Sequence, residues 1–282
     1  MTLYIWGICF SFSAKSEEAC NSELEECVED GKVNLSLLVG LGIRTNPLNQ
    51  SDNLPLLVLP QISYYKNDFF IENLDLGYNL HSDKSKSLAL VASPSFDSVF
   101  FNRWDPGNIL IDLSFTGGLG VGSNTTELDQ LTEINPNELS KRKFSYLAGL
   151  EYSQNFKDAY FQVSYLTDIS NIHQGNEIRF AFAYALSQKF TTTLGLTWKD
   201  KKIADYYYGV NPEEIVDDRG AYQVEASLNP FVRLSYQSNS GQDNNWIVRF
   251  EYQKLDKNIY NSPILEEEKT ITLFVGKNFT IH

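Results

Sequence analysis

The segment Phe190 to Trp198 reads F-T-T-T-L-G-L-T-W, and its side chains fall into two rows. Phe190, Leu194, Leu196 and Trp198 share one parity, while Thr191, Thr193, Gly195 and Thr197 share the other. A period of two marks a β-strand, whose successive side chains point to opposite faces. The pattern recurs along most of the chain. Val33, Leu35, Val39, Leu41 and Ile43 alternate with Asn34, Ser36, Gly40, Gly42 and Arg44. Ile109, Ile111, Leu113 and Phe115 alternate with Asp112, Ser114 and Thr116, and Ile178, Phe180, Phe182 and Tyr184 with Arg179, Ala181, Ala183 and Ala185. Trp246, Val248, Phe250 and Tyr252 oppose Ile247, Arg249, Glu251 and Gln253. A chain patterned this way has two options. In a soluble sandwich the large residues meet in a dry core; in a membrane barrel they face lipid and the small polar row encloses the interior.

Three features select the barrel. The alternating segments run to about ten to thirteen residues, the length of a tilted membrane strand and longer than most soluble strands. The polar row is rich in Gly, Ala, Ser and Thr, as a narrow lumen needs. Aromatic residues gather at the ends of the apolar rows, at Tyr64, Tyr152, Trp198, Tyr236 and Trp246, where interfacial belts form. The spacing predicts strands at 33–45, 54–66, 68–80, 86–96, 109–121, 143–155, 158–169, 175–188, 190–199, 221–237, 244–256 and 269–280. Connections at Lys66 to Asp68, Asn155 to Asp158 and Ser187 to Lys189 are tight, whereas Gly122 to Arg142, Asp200 to Gly220 and Asp256 to Glu268 are long. Outer-membrane barrels have this asymmetry, with short turns on the periplasmic side. The expected fold is an all-β, transmembrane, antiparallel up-and-down barrel of about twelve strands with periplasmic termini, ten or fourteen being the neighbouring even counts. One connection breaks the alternation of loop lengths: Asp97 to Asn108 is too long for a periplasmic turn.

Composition narrows the function classes. No run of about eighteen apolar residues occurs, which excludes a helical membrane protein. A net charge of −13 argues against a nucleic-acid partner, which wants a basic stripe. Leu3 to Ala14 resembles the apolar core of an export signal, so 1–14 is read as removable and 15–32 as a polar periplasmic segment ahead of the barrel at 33–282. Cys20 and Cys27, with six residues between them in that acidic segment, are candidates for a disulfide in an oxidising compartment. No histidine accompanies them, so they make a poor metal site. No cofactor is implied.

Four stretches resemble the MipA/OmpV family of Gram-negative outer-membrane barrels: Leu59 to Phe70 (L-P-Q-I-S-Y-Y-K-N-D-F-F), Leu166 to Gly175 (L-T-D-I-S-N-I-H-Q-G), Asp205 to Val210 (D-Y-Y-Y-G-V) and Asn261 to Leu265 (N-S-P-I-L). Their order and spacing, spread from about residue 33 onward, carry the resemblance. It implies an outer-membrane location among lipid and lipopolysaccharide. It also implies a scaffolding role, since the family's namesake is an interaction partner of a lytic transglycosylase and links it to a murein synthase. Other members are described as adhesins or stress-related proteins. The chain departs from the usual barrel ending, because Phe279 is followed by Thr280, Ile281 and His282 rather than closing on an aromatic residue.

Parity assigns Arg44, Arg179, Glu225, Arg233, Arg249 and Glu251 to the lumen, where opposite charges would pair and either plug the barrel or line a narrow solute path. Among the loops, Asp217 and Asp218 are candidate contact residues, with a cation-binding reading weighed against a solvated acidic surface. Tyr206, Tyr207 and Tyr208 read either as an aromatic contact surface or as an interfacial belt. His81 falls in an expected outer loop. His173 stands near Asp168 and Ser170, which invites a Ser–His–acid reading, although a hydrogen-bonded turn suits the same spacing. Three functions follow in order of expectation: a non-enzymatic scaffold tied to peptidoglycan remodelling, a narrow solute channel, and a lipid-active hydrolase.

Overall fold

A computed structural model describes residues 31–102, 108, 139–214, 221–238 and 245–281 of the protein. The expected export segment at 1–14, Cys20, Cys27, the expected strand at 109–121, and Asp217 and Asp218 lie outside the described residues. Twelve strands form a closed antiparallel barrel in sequence order: β1 (Val33–Arg44), β2 (Leu54–Lys66), β3 (Phe69–Glu72), β4 (Asp75–Ser82), β5 (Lys86–Pro94), β6 (Tyr146–Asn155), β7 (Ala159–Asp168), β8 (Asn176–Ala185), β9 (Phe190–Lys199), β10 (Ser227–Gln237), β11 (Trp246–Lys254) and β12 (Lys269–Ile281). β1 closes the ring against β12, in register from Leu35 opposite Ile281 to Arg44 opposite Thr272. No described helix is long and apolar enough to cross a membrane.

The two rows settle as lipid-facing and lumen-facing. Leu41 is 74% exposed and Leu194 56%, while the neighbouring inward positions Thr193 and Arg233 are 3% and 1% exposed. A soluble protein would invert this, since exposing rows of Leu, Ile, Val and Phe to water costs about 25 cal/mol per Å². The inner surface is not uniformly polar, however. Leu38, Leu56, Leu59 and Phe274 form an apolar cluster on the inner side of β1, β2 and β12. Gly195, from F-T-T-T-L-G-L-T-W, also faces inward: a Cβ there would sit 2.0 Å from the Phe231 ring, so the glycine lets that ring lie flat on the wall.

The strand count agrees with expectation, but the route to it differs. The segment read as one strand at 68–80 is a hairpin, β3 and β4, turning at Asn73 and Leu74. Asn73 takes a left-handed φ of 53°, which asparagine tolerates. Its N–H donates to Ile62 O at 2.7 Å, and its Oδ1 accepts from Ile62 N at 2.9 Å. The side chain thus does the work of a strand neighbour beyond the end of β3. Since β3 pairs only with Ser63 to Lys66, the wall is stepped here, and no described strand borders the rest of β2 on that side. Pro60, two residues from Ile62 and so on the same hydrogen-bonding edge, brings no N–H to it.

This hairpin reverses the direction of β4 and β5 relative to expectation, while β6 and all later strands run as expected. β5 ends at the long-loop side and pairs directly with β6, so the ring closes without a strand drawn from 109–121. The oversized connection after Asp97 therefore leaves the barrel at the long-loop side and not at the short-turn side. His81 moves to the opposite end from the one expected: it lies in the last turn of β4, at the short-turn side, 3.6 Å from Asp83. Both termini of the barrel lie at that same side, as the even strand count requires.

Long loops at the other end fold back over the mouth. Helix α1 (Lys201–Tyr208) starts at Asp200, whose side chain accepts from Ile203 N, and buries Ile203, Ala204, Tyr207 and Tyr208. That spacing is one face of a helix. Leu48, Val210, Val224 and Leu255, with Ile259, Ile264 and Leu265 from and beyond the short helix α2 (Lys257–Tyr260), pack against it, together with the inward-facing Leu147 and Leu166. Gly175 passes directly beneath α1, where a Cβ would stand 2.5 Å from Ile203 Cγ1 and 2.6 Å from Asp200 Oδ1. This cap holds the only large hydrophobic core among the described residues.

Candidate functional site: a charge-lined lumen under a packed cap

Inside the wall, charges from neighbouring strands meet. Arg233 of β10 and Glu251 of β11 stand opposite each other in register and form an ion pair through Nε and Oε2, at 1% and 0% side-chain exposure. Arg249 and Arg44 also bear on Glu251 with opposite charge. Arg44 donates from Nη1 to Asn108 Oδ1 at 2.9 Å, and Asn108 in turn donates to Val99 O at 2.8 Å. Across the barrel Arg179 donates to Glu177 Oε1 at 2.5 Å, to Ser93 Oγ at 2.6 Å and to Pro94 O at 2.9 Å. Five of the six residues that parity assigned to the lumen therefore face inward. Glu225 does not. It precedes β10, so the strand alternation no longer applies to it; it is exposed and pairs with Lys201 Nζ at 2.5 Å.

At the mouth lies a cluster that sequence reading missed. Asp97, in a 3-10 turn at Phe96–Phe100, accepts Lys199 Nζ at 2.5 and 2.6 Å, the Tyr208 hydroxyl at 2.6 Å and Ser95 Oγ at 3.3 Å. Burial opposes ionisation of Asp97, but the Lys199 charge and these hydrogen bonds outweigh it and hold the carboxyl below its ordinary range. Burial, then the adjacent Asp97 charge, pushes the Tyr208 phenol well up, so it stays a donor. A second anchor joins Arg142 to Glu214 at 2.7 and 3.1 Å, with Arg142 Nη2 also donating to Gly209 O at 2.9 Å. Although burial works against it, the Arg142 pair holds the Glu214 carboxyl down at about 2. The three tyrosines thus have a role other than the two expected. Tyr207 and Tyr208 are buried inside the cap, where they cannot be a contact surface or a lipid belt. Tyr206 is half-buried, with its hydroxyl accepting from Lys143 N at 2.8 Å.

His173 sits in a closed hydrogen-bond chain. Gly175 N donates to Nδ1 at 3.1 Å, so Nδ1 carries no proton and Nε2 does. Nε2 meets Ser145 Oγ at 3.0 Å, Ser145 Oγ meets the Tyr207 hydroxyl at 3.0 Å, and that hydroxyl donates to Lys143 O at 3.0 Å. A hydrolase needs the reverse polarity, with Nε2 taking a proton from the serine and Nδ1 donating to the acid. Asp168 lies 3.7 Å from Nδ1 but is occupied elsewhere. It accepts from the backbone N of Ser170, Ile172, His173 and Gln174, each at 2.8 Å, and from Ser170 Oγ at 2.6 Å. The L-T-D-I-S-N-I-H-Q-G stretch is accordingly a loop wound around one carboxylate, and Ser170 is bound to the acid rather than to the histidine.

Lipid-facing apolar rows, a filled charge-paired interior, short turns with both termini at one end and a folded cap at the other define an integral β-barrel of the outer membrane. The model of the family described as MltA-interacting protein MipA matches residues 39–281, and the chain belongs to that family. The MltA-interacting protein of Escherichia coli (strain K12) is 23% identical over 246 residues, covering 86% of this chain and 88% of that protein. The protein of the same strain named "Putative outer membrane protein YiaT" is 22% identical over 222 residues, or 77% of this chain and 79% of the relative. Among solved structures, the KdgM porin aligns with 89% of this chain and all of its own, at 9% identity and a TM-score of 0.42.

Proposed function

We propose that this protein is a non-enzymatic interaction scaffold of the outer membrane, binding a lytic transglycosylase and through it a peptidoglycan-remodelling assembly. The observation that carries the reading is the filled interior. Gln162, Ser164, Thr193, Arg233, Arg249, Glu251, Thr272 and Phe274 all face inward on five strands and are nearly inaccessible, whereas a water-filled pore exposes its lining. A barrel whose lumen is spent on its own packing has its two rims left for recognition. The short-turn rim faces the periplasm, where murein enzymes work. The name of the Escherichia coli relative supports the choice of partner class.

The test is co-purification from detergent-solubilised envelopes using the tagged full chain. A lytic transglycosylase should be enriched over a matched barrel control; equal recovery from both would overturn the reading. A narrow solute channel is the second reading, favoured by the arginine row Arg44, Arg233 and Arg249. Planar-bilayer recordings separate the two, since the scaffold gives no discrete conductance steps and a channel gives them.

A further inference from the structure

We propose that His173 is a proton-operated latch that fastens the outer cap to the barrel mouth, closed while the ring is neutral and released when it gains a second proton. The ring joins three parts of the cap: its own loop through Gly175, the entry to β6 through Ser145, and α1 through Tyr207. The chain of donors runs one way only. His173 Nε2–H donates to Ser145 Oγ, whose hydroxyl proton goes to Tyr207, whose own proton goes to Lys143 O. A proton arriving at Nδ1 meets an N–H already pointing at it, since Gly175 N donates there. Two donors then face each other, and one must leave.

Retreat is confined by the two tyrosine rings and by α1. Tyr206 and Tyr207 rings flank the imidazole at 5.8 and 5.9 Å, and Gly175 cannot move towards α1 because Ile203 and Asp200 stand against it. The charges that bear most on the ring are carboxylates: Asp168 of its own loop, Asp97 of the turn after β5, Glu177 of β8 and Asp200 at the start of α1. The nearby cations are engaged, Lys199 with Asp97, Arg179 with Glu177 and Lys202 with Gln174 O. Burial keeps the ring's proton affinity below the ordinary histidine value, against the pull of those four acids. The sign follows. The unfastened loop binds the proton more readily than the fastened one, so the latch is fully engaged above about 6.5 and weakens as pH falls below it. The other cap anchors do not titrate in that window, because the carboxyls of Asp97, Asp168 and Glu214 are all held below their ordinary range.

Hydrogen exchange of the full chain folded in detergent, at pH 7 and pH 4.5 and corrected for intrinsic rates, reads the latch. Peptides covering 143–147, 169–175 and 201–210 should lose protection at least tenfold at the lower pH, while the short-turn peptides around 156–158 and 186–189 stay level. His173→Asn keeps an acceptor for Gly175 N but cannot titrate, and its cap peptides should exchange alike at both pH values. Unchanged wild-type protection, or the same step in the variant, would overturn the proposal. Ring nitrogen shifts of the wild-type chain decide independently of any variant: the Nε2–H tautomer is expected at pH 7 and the doubly protonated ring when protection drops. An Nδ1–H tautomer at pH 7 ends the idea.

Discussion

At the rim holding the start of β1 and the end of β12, neighbouring strands are joined by residues such as Phe156 to Asp158 and Leu186 to Lys189. Phe156 is 52% exposed there and Leu186 61%. At the other rim the connections between β9 and β10 and between β11 and β12 carry α1 and α2, and Ile203, Tyr207 and Ile259 are fully buried. Backbone hydrogen bonds between strands hold the first rim. A hydrophobic core with its own ion pairs holds the second. The difference teaches where this chain has the stability of a soluble domain: only in the cap, since the wall buries its apolar rows in lipid rather than in itself.

The largest expected effect comes from hollowing that core. Tyr207→Ala removes a fully buried ring and its bonds to Ser145 and Lys143, and should cost about 3–5 kcal/mol, the range for truncating a large buried side chain. Urea titration followed by exchange in 201–210 measures it. A loss shared equally with the short-turn peptides would mean that cap and wall unfold as one unit, and the comparison between the rims would fail.

Breaking the mouth cluster comes next. Lys199→Met leaves Asp97 buried with Tyr208 and Ser95 but no cation, a change expected to cost about 3 kcal/mol or more. The double variant Lys199→Met with Asp97→Leu should recover much of that loss, because two apolar side chains replace a desolvated pair. If the double variant is as weak as the single one, the cluster holds shape rather than compensating charge.

A smaller effect separates the two anchors of the cap. Arg142→Ala forfeits a two-pronged contact with Glu214 and should cost about 2 kcal/mol at neutral pH, as charged hydrogen bonds do. Glu214 has a lowered folded value of about 2, so its contribution is complete above the ordinary carboxylate range and disappears as pH falls towards 2. The gap between wild type and variant should stay constant from pH 7 to 5 and close below 4. A gap that closes between pH 6.5 and 5 would assign the titration to His173 instead.

These two rims were also unequally legible in the sequence. Period-two alternation exposed the wall, because lipid demands it at every outward position, and β9 appears as F-T-T-T-L-G-L-T-W with its ends intact. The Asn73 turn escaped because the inward-facing Phe70 shares its parity with the outward-facing Leu76, Tyr78 and Leu80. The even-numbered positions therefore read as one apolar row, although the outward parity changes between Ile71 and Leu76. Helix α1 was hidden for another reason. K-K-I-A-D-Y-Y-Y is too short and too polar for its period to stand out, although Asp200 as its cap and the spacing of Ile203, Ala204, Tyr207 and Tyr208 are readable once a helix is considered. Lys199 with Asp97 was unreadable. The two lie far apart in sequence, and only closure of the ring brings the end of β9 beside the turn after β5.

The smallest expected effect belongs to the short-turn rim. Phe156→Ser replaces a half-exposed side chain at the tip of the β6–β7 turn, whose geometry is fixed by the backbone bond from Phe156 N to Ala159 O at 2.7 Å and not by the ring. The change should stay within about 0.5 kcal/mol, as for surface positions lacking buried partners. It should nevertheless weaken capture of a periplasmic partner if that rim is the contact surface, since an exposed aromatic at a turn tip is the side chain such a contact would use first. Stability unchanged with binding reduced would place recognition at this rim. Stability unchanged with binding intact would turn attention to the cap, and a loss of more than 1 kcal/mol would show that the two rims are less different than their burial implies.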